Sequence, residues 1–281
     1  MTLGRWIRRL VWLGLAGLLA WGLLWLFPWT HPAGETTFRL LSWNVHGFHN
    51  QFDGDSRQLI LEGIAGQDAD VLVLQEFPVS RGGGRVREAL RRAGYPHEAL
   101  FAYDHSVTDA YAMGLAIYSR HRILRFREFP LLPLAEGRIL ALAELELEGR
   151  VLRVGGVHMP NSDIHLNGKR AMIMSELFGE NLRTLQCESL IAALQPWRQE
   201  ALVVAGDYNT FPLSSAWRIM RGEYLDAFSA KEWTTGTFNI RENLDVKIDH
   251  IFHSKKVRSL TAQVVNLAGS DHRPVLAELQ F

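Results

Sequence analysis

Residues 269–275 read GSDHRPV, and they open the alternating apolar segment PVLAELQF that ends the chain at residue 281. A carboxylate, an imidazole and a guanidinium stand side by side here, in Asp271, His272 and Arg273. Taken alone, such a run fits a polar turn before a last strand. It points to a functional site only if polar residues from other parts of the chain converge on it.

Other apolar segments also end in, or contain, a residue that can bind a metal or a phosphate. These residues are Asn44 after LLSW, Glu76 after LVLQ, His158 after RVGGV, Asp207 after LVVAG and Asp249 within VKIDHIF. Because packed sheets bring the ends of neighbouring strands together, we expect these side chains to share one cleft with Asp271 and His272.

The pattern of segments predicts an α/β protein. Many short strand-like segments alternate with few helical ones, which favours an α/β sandwich over a strict βαβ repeat. Residues 138–149 alternate strictly enough to predict a strand with one solvent-exposed face, and residues 169–194 predict one long helix. No linker rich in Pro, Gly or Ser divides residues 38–281, so we predict a single domain there.

Composition excludes some classes of protein. The chain has 30 Lys and Arg against 30 Asp and Glu, and no basic run follows the N-terminus, which argues against a dedicated duplex-binding protein. The single cysteine, Cys187, excludes an internal disulfide. We expect Trp217 and Trp233 to lie in the core and Arg273 to form a structural ion pair.

The N-terminal segment predicts a membrane anchor. Residues 10–27, LVWLGLAGLLAWGLLWLF, contain no charge, and about eighteen helical residues roughly cross a bilayer core. We therefore predict a transmembrane helix at 10–29. The three arginines before it predict a cytoplasmic N-terminus at 1–9, so that the linker 30–37 and the domain 38–281 are extracytoplasmic, in a periplasm or outside the cell. A cleaved signal peptide and a buried soluble helix are the alternatives.

The residue types indicate a particular chemistry. Carboxylate and amide oxygens without cysteine favour Mg²⁺ or Mn²⁺ over zinc. A histidine beside carboxylates can accept a proton from water or, when charged, neutralise a phosphoryl oxygen. Together these groups meet the needs of phosphoester hydrolysis, in which negative charge builds up on the phosphoryl oxygens.

The same residues carry a family resemblance. In chain order, SWNVHG, LQE, MGLAIYSR, HMPN, AGDYNTFP, KIDHIF and GSDHRPV resemble the motifs of the endonuclease/exonuclease/phosphatase superfamily, which includes deoxyribonuclease I and exonuclease III. The resemblance spans about residues 38–281. It implies a four-layered α/β sandwich, with two mixed β-sheets flanked by helices, and a divalent-metal-dependent phosphoesterase cleft.

The resemblance also implies roles for matching residues on the metal side. Glu76 is expected to be the main metal carboxylate, supported by Asn44, with Asp271 near the metal. Asp207 and Asn209 are expected to orient the attacking water and to bind a phosphoryl oxygen.

The expected proton-handling residues are two histidines. His272, oriented by Asp249, is expected to act as general base or to contact the phosphate. His158 is expected to contact the phosphate or to protonate the leaving group, as a histidine does in deoxyribonuclease-like and sphingomyelinase-like members. Asn161 matches a phosphate-binding asparagine of the exonuclease III branch, so the chain combines features of two branches.

Three hypotheses for the function follow. The first is a membrane-tethered, metal-dependent phosphodiesterase acting on nucleic acid. The second is the same chemistry on a phospholipid or a small phosphoester, as in sphingomyelinase-like or phosphoinositide-type enzymes. The third is a catalytically inert binding module. The intact ordered set of polar residues argues against the third, and nothing in the sequence indicates an obligate protein partner.

Overall fold

The computed structural model describes residues 36–50, 52, 54–80, 83–103, 112–134, 138–161, 174–241 and 244–281. The predicted cytoplasmic stretch 1–9, the anchor 10–29 and most of the linker 30–37 lie outside the described residues. Among the helices that are described, none is long and apolar enough to cross a membrane.

Strands dominate the described chain. They are β1 (Thr37–Asn44), β2 (Val71–Pro78), β3 (His97–Ala102), β4 (Met113–Ser119), β5 (Ile123–Pro130), β6 (Ile139–Leu147), β7 (Arg150–His158), β8 (Leu202–Asp207), β9 (Leu225–Asp226), β10 (Phe238–Arg241), β11 (Leu244–Val246), β12 (Asp249–His253), β13 (Arg258–Val264) and β14 (Val275–Gln280). The α-helices that lie wholly within the described residues are α1 (Arg57–Gly66), α2 (Gly84–Arg92), α3 (Leu182–Leu194) and α4 (Ser215–Glu223), with short 3₁₀ turns at His46–Phe48, Gln195–Trp197 and Ala230–Thr234. Residues 174–178 are also helical.

These strands form two six-stranded sheets and a hairpin. The first sheet has the order β13-β14-β1-β2-β4-β3, the second has the order β5-β6-β7-β8-β12-β9, and β10 pairs with β11. Both sheets are mixed, because β1 runs parallel to β2 and β7 runs parallel to β8 while the other pairs are antiparallel.

Alternate side chains of each central strand enter different layers of the core. In β1, Leu40 packs between the two sheets, whereas its neighbour Leu41 packs on the helix side with Ile60 of α1. On the far side, the outer face of the second sheet packs against α3 and α4 through residues such as Leu190 and Trp217. Strands buried on both faces have nearly continuous apolar sequences. The resulting order of layers, helices, sheet, sheet and helices, confirms the predicted α/β sandwich with two mixed sheets.

Two local predictions were wrong. The β6 strand has no solvent-exposed face, because alternate residues pack between the two sheets while Leu140 and Leu142 pack in the layer with α3 and α4, and even Glu144 is 9% exposed. Its carboxylate lies 3.6 Å from the Arg153 guanidinium, which offsets the cost of burial. The long helix predicted at 169–194 is interrupted at 179–181, and Asn181 caps a new helix there by accepting a hydrogen bond from the Thr184 N–H. Residues 162–173 lie outside the described part.

Other expectations were met. Arg273 forms an ion pair with Asp245. Trp217 is buried and packs against the partly buried Trp233. Cys187 is a free cysteine on the buried side of α3. The elements that had not been predicted include β3, the edge strand β5, the short strand β9, the hairpin strands β10 and β11, and the strongly charged helix α2.

Candidate active site

The register of the strands places the predicted residues at one edge of the sandwich. Asn44 ends β1 beside Gln75 of the parallel strand β2, which leads directly into Glu76. In the second sheet, His158 ends β7 opposite Asp207, which ends the parallel strand β8. The antiparallel strand β12 begins at the same edge, because its first residue, Asp249, pairs with Asp207. The carboxyl ends of both parallel pairs therefore meet at one cleft.

Asn44 connects the two sheets. Its side chain is buried, and Nδ2 donates to Oε1 of Glu76 at 3.0 Å and to Oδ2 of Asp207 at 3.2 Å. Its Oδ1 accepts from the backbone N–H of His46 at 3.1 Å, which fixes the orientation of the amide. One amide thus positions a carboxylate from each sheet.

Glu76 has an unusual backbone. Its φ is +50°, and the pairing of β2 with β4 shifts register between Leu74 and Phe77. Such a bulge redirects a side chain, and the left-handed conformation costs roughly 1–2 kcal/mol for a residue other than glycine. A strained conformation at the residue predicted to be the main metal ligand is consistent with a functional requirement.

His272 forms a buried pair with Asp249. Nδ1 of the imidazole lies 3.0 Å from Oδ2 of the carboxylate, and the indole of Trp43 donates to the backbone oxygen of His272 at 2.9 Å. Burial alone would lower the pKa of His272, but the carboxylates of Asp249 and Asp207 outweigh it and raise the pKa to about 10. The imidazole is therefore protonated at neutral pH.

Asp207 lies between two histidines. Its Oδ2 is 3.6 Å from Nε2 of His158 and 3.6 Å from Nε2 of His272. Its Oδ1 accepts from the backbone N–H of Asn209 at 2.9 Å. Burial raises the pKa of Asp207 to about 7, although the charge of His272 opposes this shift. Near neutral pH this carboxyl group can both take up and release a proton.

His158 has the opposite electrostatic environment. Burial and then the charge of Arg138 hold the pKa of His158 well below its ordinary value, so the imidazole is neutral. Nδ1 lies 2.9 Å from the hydroxyl of Tyr103, and that hydroxyl accepts from the backbone N–H of Glu76 at 3.1 Å.

The contacts of Tyr103 determine the tautomer of His158. A phenol carries a single proton, and among the described residues Nδ1 of His158 is the one acceptor within reach of it. The Tyr103 hydroxyl therefore donates to Nδ1, which places the imidazole proton on Nε2. That Nε2–H faces the cleft, 3.6 Å from Asp207 and 3.9 Å from Glu76.

The remaining predicted residues lie further from this centre. Asn209 has φ +48°, and its Nδ2 donates to the backbone oxygen of Met159 at 2.9 Å, so its amide stabilises the turn after β8. Asp271 is partly exposed, with Oδ1 3.6 Å from Nδ1 of His46. Asn161 is exposed, and no hydrogen bond joins its side chain to another described residue. Its role in phosphate binding stays a prediction.

One group of side chains in the described residues has the spacing of a divalent-cation site. Ligand atoms of Asp207, Asp249 and His272 lie within 4.8 Å of one another, but these groups are buried and the imidazolium proton already links them. Mg²⁺ usually keeps several of its waters and suits a more open position. Glu76 and Asp271 are 31% and 27% exposed, so their oxygens are accessible to a hydrated ion. Carboxylates of this kind suit Mg²⁺ or Mn²⁺, and Asn44 orients Glu76. That Glu76 and Asp271 bind one ion together stays a prediction.

Sequence reasoning missed four residues around the site. Tyr103 and Arg138 adjoin His158, and the Arg138 guanidinium carbon lies 5.4 Å from the centroid of the Tyr103 ring. The buried Thr237 hydroxyl accepts from the backbone N–H of Asp249 at 3.2 Å. Lys247 donates to the backbone oxygen of Asp249 at 2.8 Å, and burial lowers its pKa to about 8. Lys247 belongs to the motif KIDHIF and could have been noticed there, whereas Tyr103 follows no motif.

Comparisons with known proteins agree with this geometry. The Endonuclease/Exonuclease/phosphatase family matches residues 41–272. The human Nocturnin catalytic domain is 21% identical, with a TM-score of 0.66 over 87% of this chain and 94% of that one. A mannosyl-6-phosphatase of Bacteroides thetaiotaomicron is 18% identical, with a TM-score of 0.65 over 87% and 100%. Sphingomyelinase C of Streptomyces griseocarneus is 17% identical, with a TM-score of 0.62 over 86% and 99%. At these identities the likeness shows the fold. No curated protein sequence matches the chain.

Proposed function

The chain belongs to the Endonuclease/Exonuclease/phosphatase family, whose members hydrolyse phosphoester bonds, and we propose that it is a divalent-metal-dependent phosphodiesterase. One observation supports this most strongly. Oδ2 of Asp207 lies 3.6 Å from a neutral histidine, His158, and 3.6 Å from a charged one, His272. Titratable groups whose environments push their pKa values apart are typical of acid–base catalysis.

Asp207 is the group suited to accept a proton from the attacking water. Its pKa of about 7 lies near the working pH, which is favourable for a general base. The Asn209 N–H donates to Oδ1, and Oδ2 is the oxygen that faces both histidines. In the proposal, the substrate would approach Oδ2 between them.

His272 is suited to stabilise negative charge. With a pKa of about 10 it is already protonated, so of its two expected roles, general base and phosphate contact, we assign the second. Its charge, held in place by Asp249, opposes the charge that develops on the phosphoryl oxygens. His158 donates from Nε2 to a phosphoryl or leaving oxygen, because Tyr103 keeps the proton on that nitrogen.

The metal would be held by Glu76 and Asp271, with Asn44 orienting Glu76. A bound Mg²⁺ or Mn²⁺ neutralises charge on the phosphoryl oxygens and orients the phosphate for in-line attack. Glu76 lies on the same side as Asp207, since Asn44 donates to both carboxylates. In this proposal the phosphate would lie between the expected metal carboxylates and the two histidines.

The proposal includes attachment to a membrane. Residues 10–29 would anchor the chain with residues 1–9 in the cytoplasm, and the catalytic domain would lie outside it, in a periplasm or at the cell surface. The supporting observation is the uncharged apolar run at 10–27, preceded by three arginines. Attachment to a membrane does not choose among nucleic acids, phospholipids and small phosphoesters as the substrate.

The test is a substrate screen with the full-length protein in detergent micelles. Single- and double-stranded DNA, RNA, sphingomyelin, phosphoinositides and bis(4-nitrophenyl) phosphate would be assayed with Mg²⁺, with Mn²⁺ and with EDTA. We expect turnover of at least one phosphodiester that EDTA abolishes and either cation restores. The Asp207→Asn variant should be inactive on it. Asp68→Asn removes an exposed carboxylate just before the start of β2, away from the cleft. This variant should behave as wild type. Full activity in EDTA, or an active Asp207→Asn, would refute the proposal.

A further inference from the structure

A cavity of about 420 Å³ adjoins the metal side of the cleft. We call it the side cavity; its lining includes Asn50, Phe52, Leu59, Asn239, Leu267 and Arg273, together with Ser270 and Asp271. Its volume is within the usual range for small-molecule sites. Because Asp271 is also one of the expected metal carboxylates, a group in the side cavity can be part of the same substrate whose phosphate occupies the cleft.

The rim of the side cavity is held by hydrogen bonds within the loop after β1. Oδ1 of Asn50 accepts from the backbone N–H groups of Phe52 at 2.8 Å and Gly54 at 3.1 Å. The hydroxyl of Ser56 donates to the backbone oxygen of Gly269, which also lines the side cavity. The side chain of Phe52 is 82% exposed.

The side cavity is linked directly to the catalytic residues. The hydroxyl of Ser270 donates to the backbone oxygen of Asn44 at 2.7 Å. Phe238, next to Asn239 on β10, packs on the imidazole of His272 with 4.8 Å between ring centroids. A group bound in the side cavity would therefore contact elements that hold the catalytic residues in position.

The lining combines apolar surfaces with polar groups at the edge. Phe52, Leu59 and Leu267 offer apolar area, whereas Asn239 and Arg273 are polar. Nδ2 of Asn239 donates to Asp245, which leaves its carbonyl oxygen as an acceptor, and Arg273 uses Nη1 for Asp245 and Gly236. The other nitrogens of its guanidinium are further donors. An acyl chain would leave these polar groups unmatched.

We propose that the side cavity binds a flat heteroaromatic ring of the substrate, such as the base of a nucleotide ester, stacked on Phe52. The inference rests on the proposed function and narrows its substrate class. The balanced charge of the chain and the limited volume of the side cavity favour a small nucleotide ester over a long polymer.

The experiment compares two esters with the same leaving group. Thymidine 5′-(4-nitrophenyl phosphate) and methyl 4-nitrophenyl phosphate would be hydrolysed by the full-length protein with Mn²⁺, and kcat/KM determined for each. We expect a preference of about tenfold or more for the thymidine ester, since stacking on an aromatic side chain contributes an effect of this size. Phe52→Ala should abolish the preference without changing the rate on the methyl ester, and Phe52→Trp should keep it. Phe126→Ala, an equally apolar change at an exposed site on β5, should leave both rates unchanged.

The possible results distinguish a failure of the side-cavity proposal from a failure of the proposed function. Equal kcat/KM values for the two esters would overturn the inference, and so would an equal loss on both esters in Phe52→Ala. A stronger preference for 4-nitrophenyl phosphorylcholine would also overturn it. If neither ester nor any phosphodiester of the substrate screen is hydrolysed, the proposed function fails. In that case, calorimetric binding of thymidine 5′-monophosphate, compared with methyl phosphate and repeated with Phe52→Ala, still decides whether a ring binds.

Discussion

The hydroxyl of Tyr103 lies 2.9 Å from Nδ1 of His158, and this contact sets which nitrogen of the imidazole carries the proton. The same hydroxyl accepts from the backbone N–H of Glu76. One phenol thus connects the histidine at the end of β7 with the strained residue in β2. Burial and the charge of Arg138 lower the pKa of His158 and keep it uncharged, whereas the carboxylates of Asp249 and Asp207 outweigh burial at His272, raise its pKa and keep that imidazole charged.

The first prediction concerns this phenol. Tyr103→Phe removes the donor to Nδ1, so the proton of His158 should redistribute between the two ring nitrogens, and kcat should fall by about 10–100-fold with little change in KM. Nitrogen-15 NMR of labelled histidine reports the tautomer directly. Tyr95→Phe is the matched control, because its buried hydroxyl donates to the backbone oxygen of Ala69 away from the cleft. An unchanged imidazole spectrum in Tyr103→Phe would contradict the assignment.

The second prediction concerns pH and stability. The pKa of His272 is about 10 in the folded protein against about 6.5 in the unfolded chain. Since the folded pKa is the higher one, the stabilisation by the imidazolium is complete below about pH 6.5 and is lost as pH rises towards 10. As the pH rises from 6 to 9.5, the difference in free energy of unfolding between wild type and His272→Gln should therefore shrink. The decrease should be on the order of a few kcal/mol, as expected from such a pKa shift.

The measurement is urea unfolding in EDTA at pH 6, 8 and 9.5. The double variant Asp249→Asn with His272→Gln, compared with Asp249→Asn alone, is the control. Without the Asp249 carboxylate, the difference in free energy of unfolding between the double variant and Asp249→Asn should depend much less on pH. A difference between wild type and His272→Gln that is constant or grows with pH would contradict the buried pair.

The third prediction concerns the metal. Glu76→Gln keeps the shape of the side chain and the acceptor for Asn44, but it removes the charge that attracts a cation. Wild type should gain about 2.7 kcal/mol of stability at a cation concentration of about one hundred times Kd. Glu76→Gln should gain much less. Thermal unfolding with increasing Mn²⁺ measures this, with Glu146→Gln on β6 as a control that should respond as wild type does. An equal gain in Glu76→Gln would exclude Glu76 as a main ligand.

Much of the site was predictable because its residues end buried strands. Asn44, His158 and Asp207 each follow a run of apolar residues, and the fold needs such runs for strands covered on both faces. Their meeting at one edge follows from the parallel pairing of β1 with β2 and β7 with β8. Glu76 was found by the same pattern, although its left-handed backbone and the bulge around it leave no signal in the sequence.

The missed features depend on tertiary contacts. Tyr103 follows a short strand of mixed composition, and only the packing of β3 beside β4 brings its ring to His158. The β5 strand has mostly exposed side chains, so its burial pattern gives no periodic signal. The predicted exposed face of β6 failed because Glu144 finds arginine partners on the neighbouring strands β5 and β7. Local periodicity does not contain such cross-strand ion pairs.

The last prediction concerns the anchor. The chain enters the domain at Thr36. Its backbone N–H donates to the backbone oxygen of Phe281, and its backbone oxygen accepts from the Phe281 N–H. Asn44 lies at the other end of β1, roughly 26 Å from Thr36 at about 3.3 Å per residue. A tether attached at Thr36 is therefore remote from the cleft, and its removal should leave kcat/KM for a soluble phosphodiester within about twofold, as for other changes far from a site. Kinetics of the full-length protein and of residues 35–281 measure this.

N-terminal sequencing of protein from the membrane fraction should find residues 10–29 retained. A mature start near Gly34 would instead establish a cleaved signal peptide, and a large loss of activity without the tether would place the anchor in the catalytic mechanism.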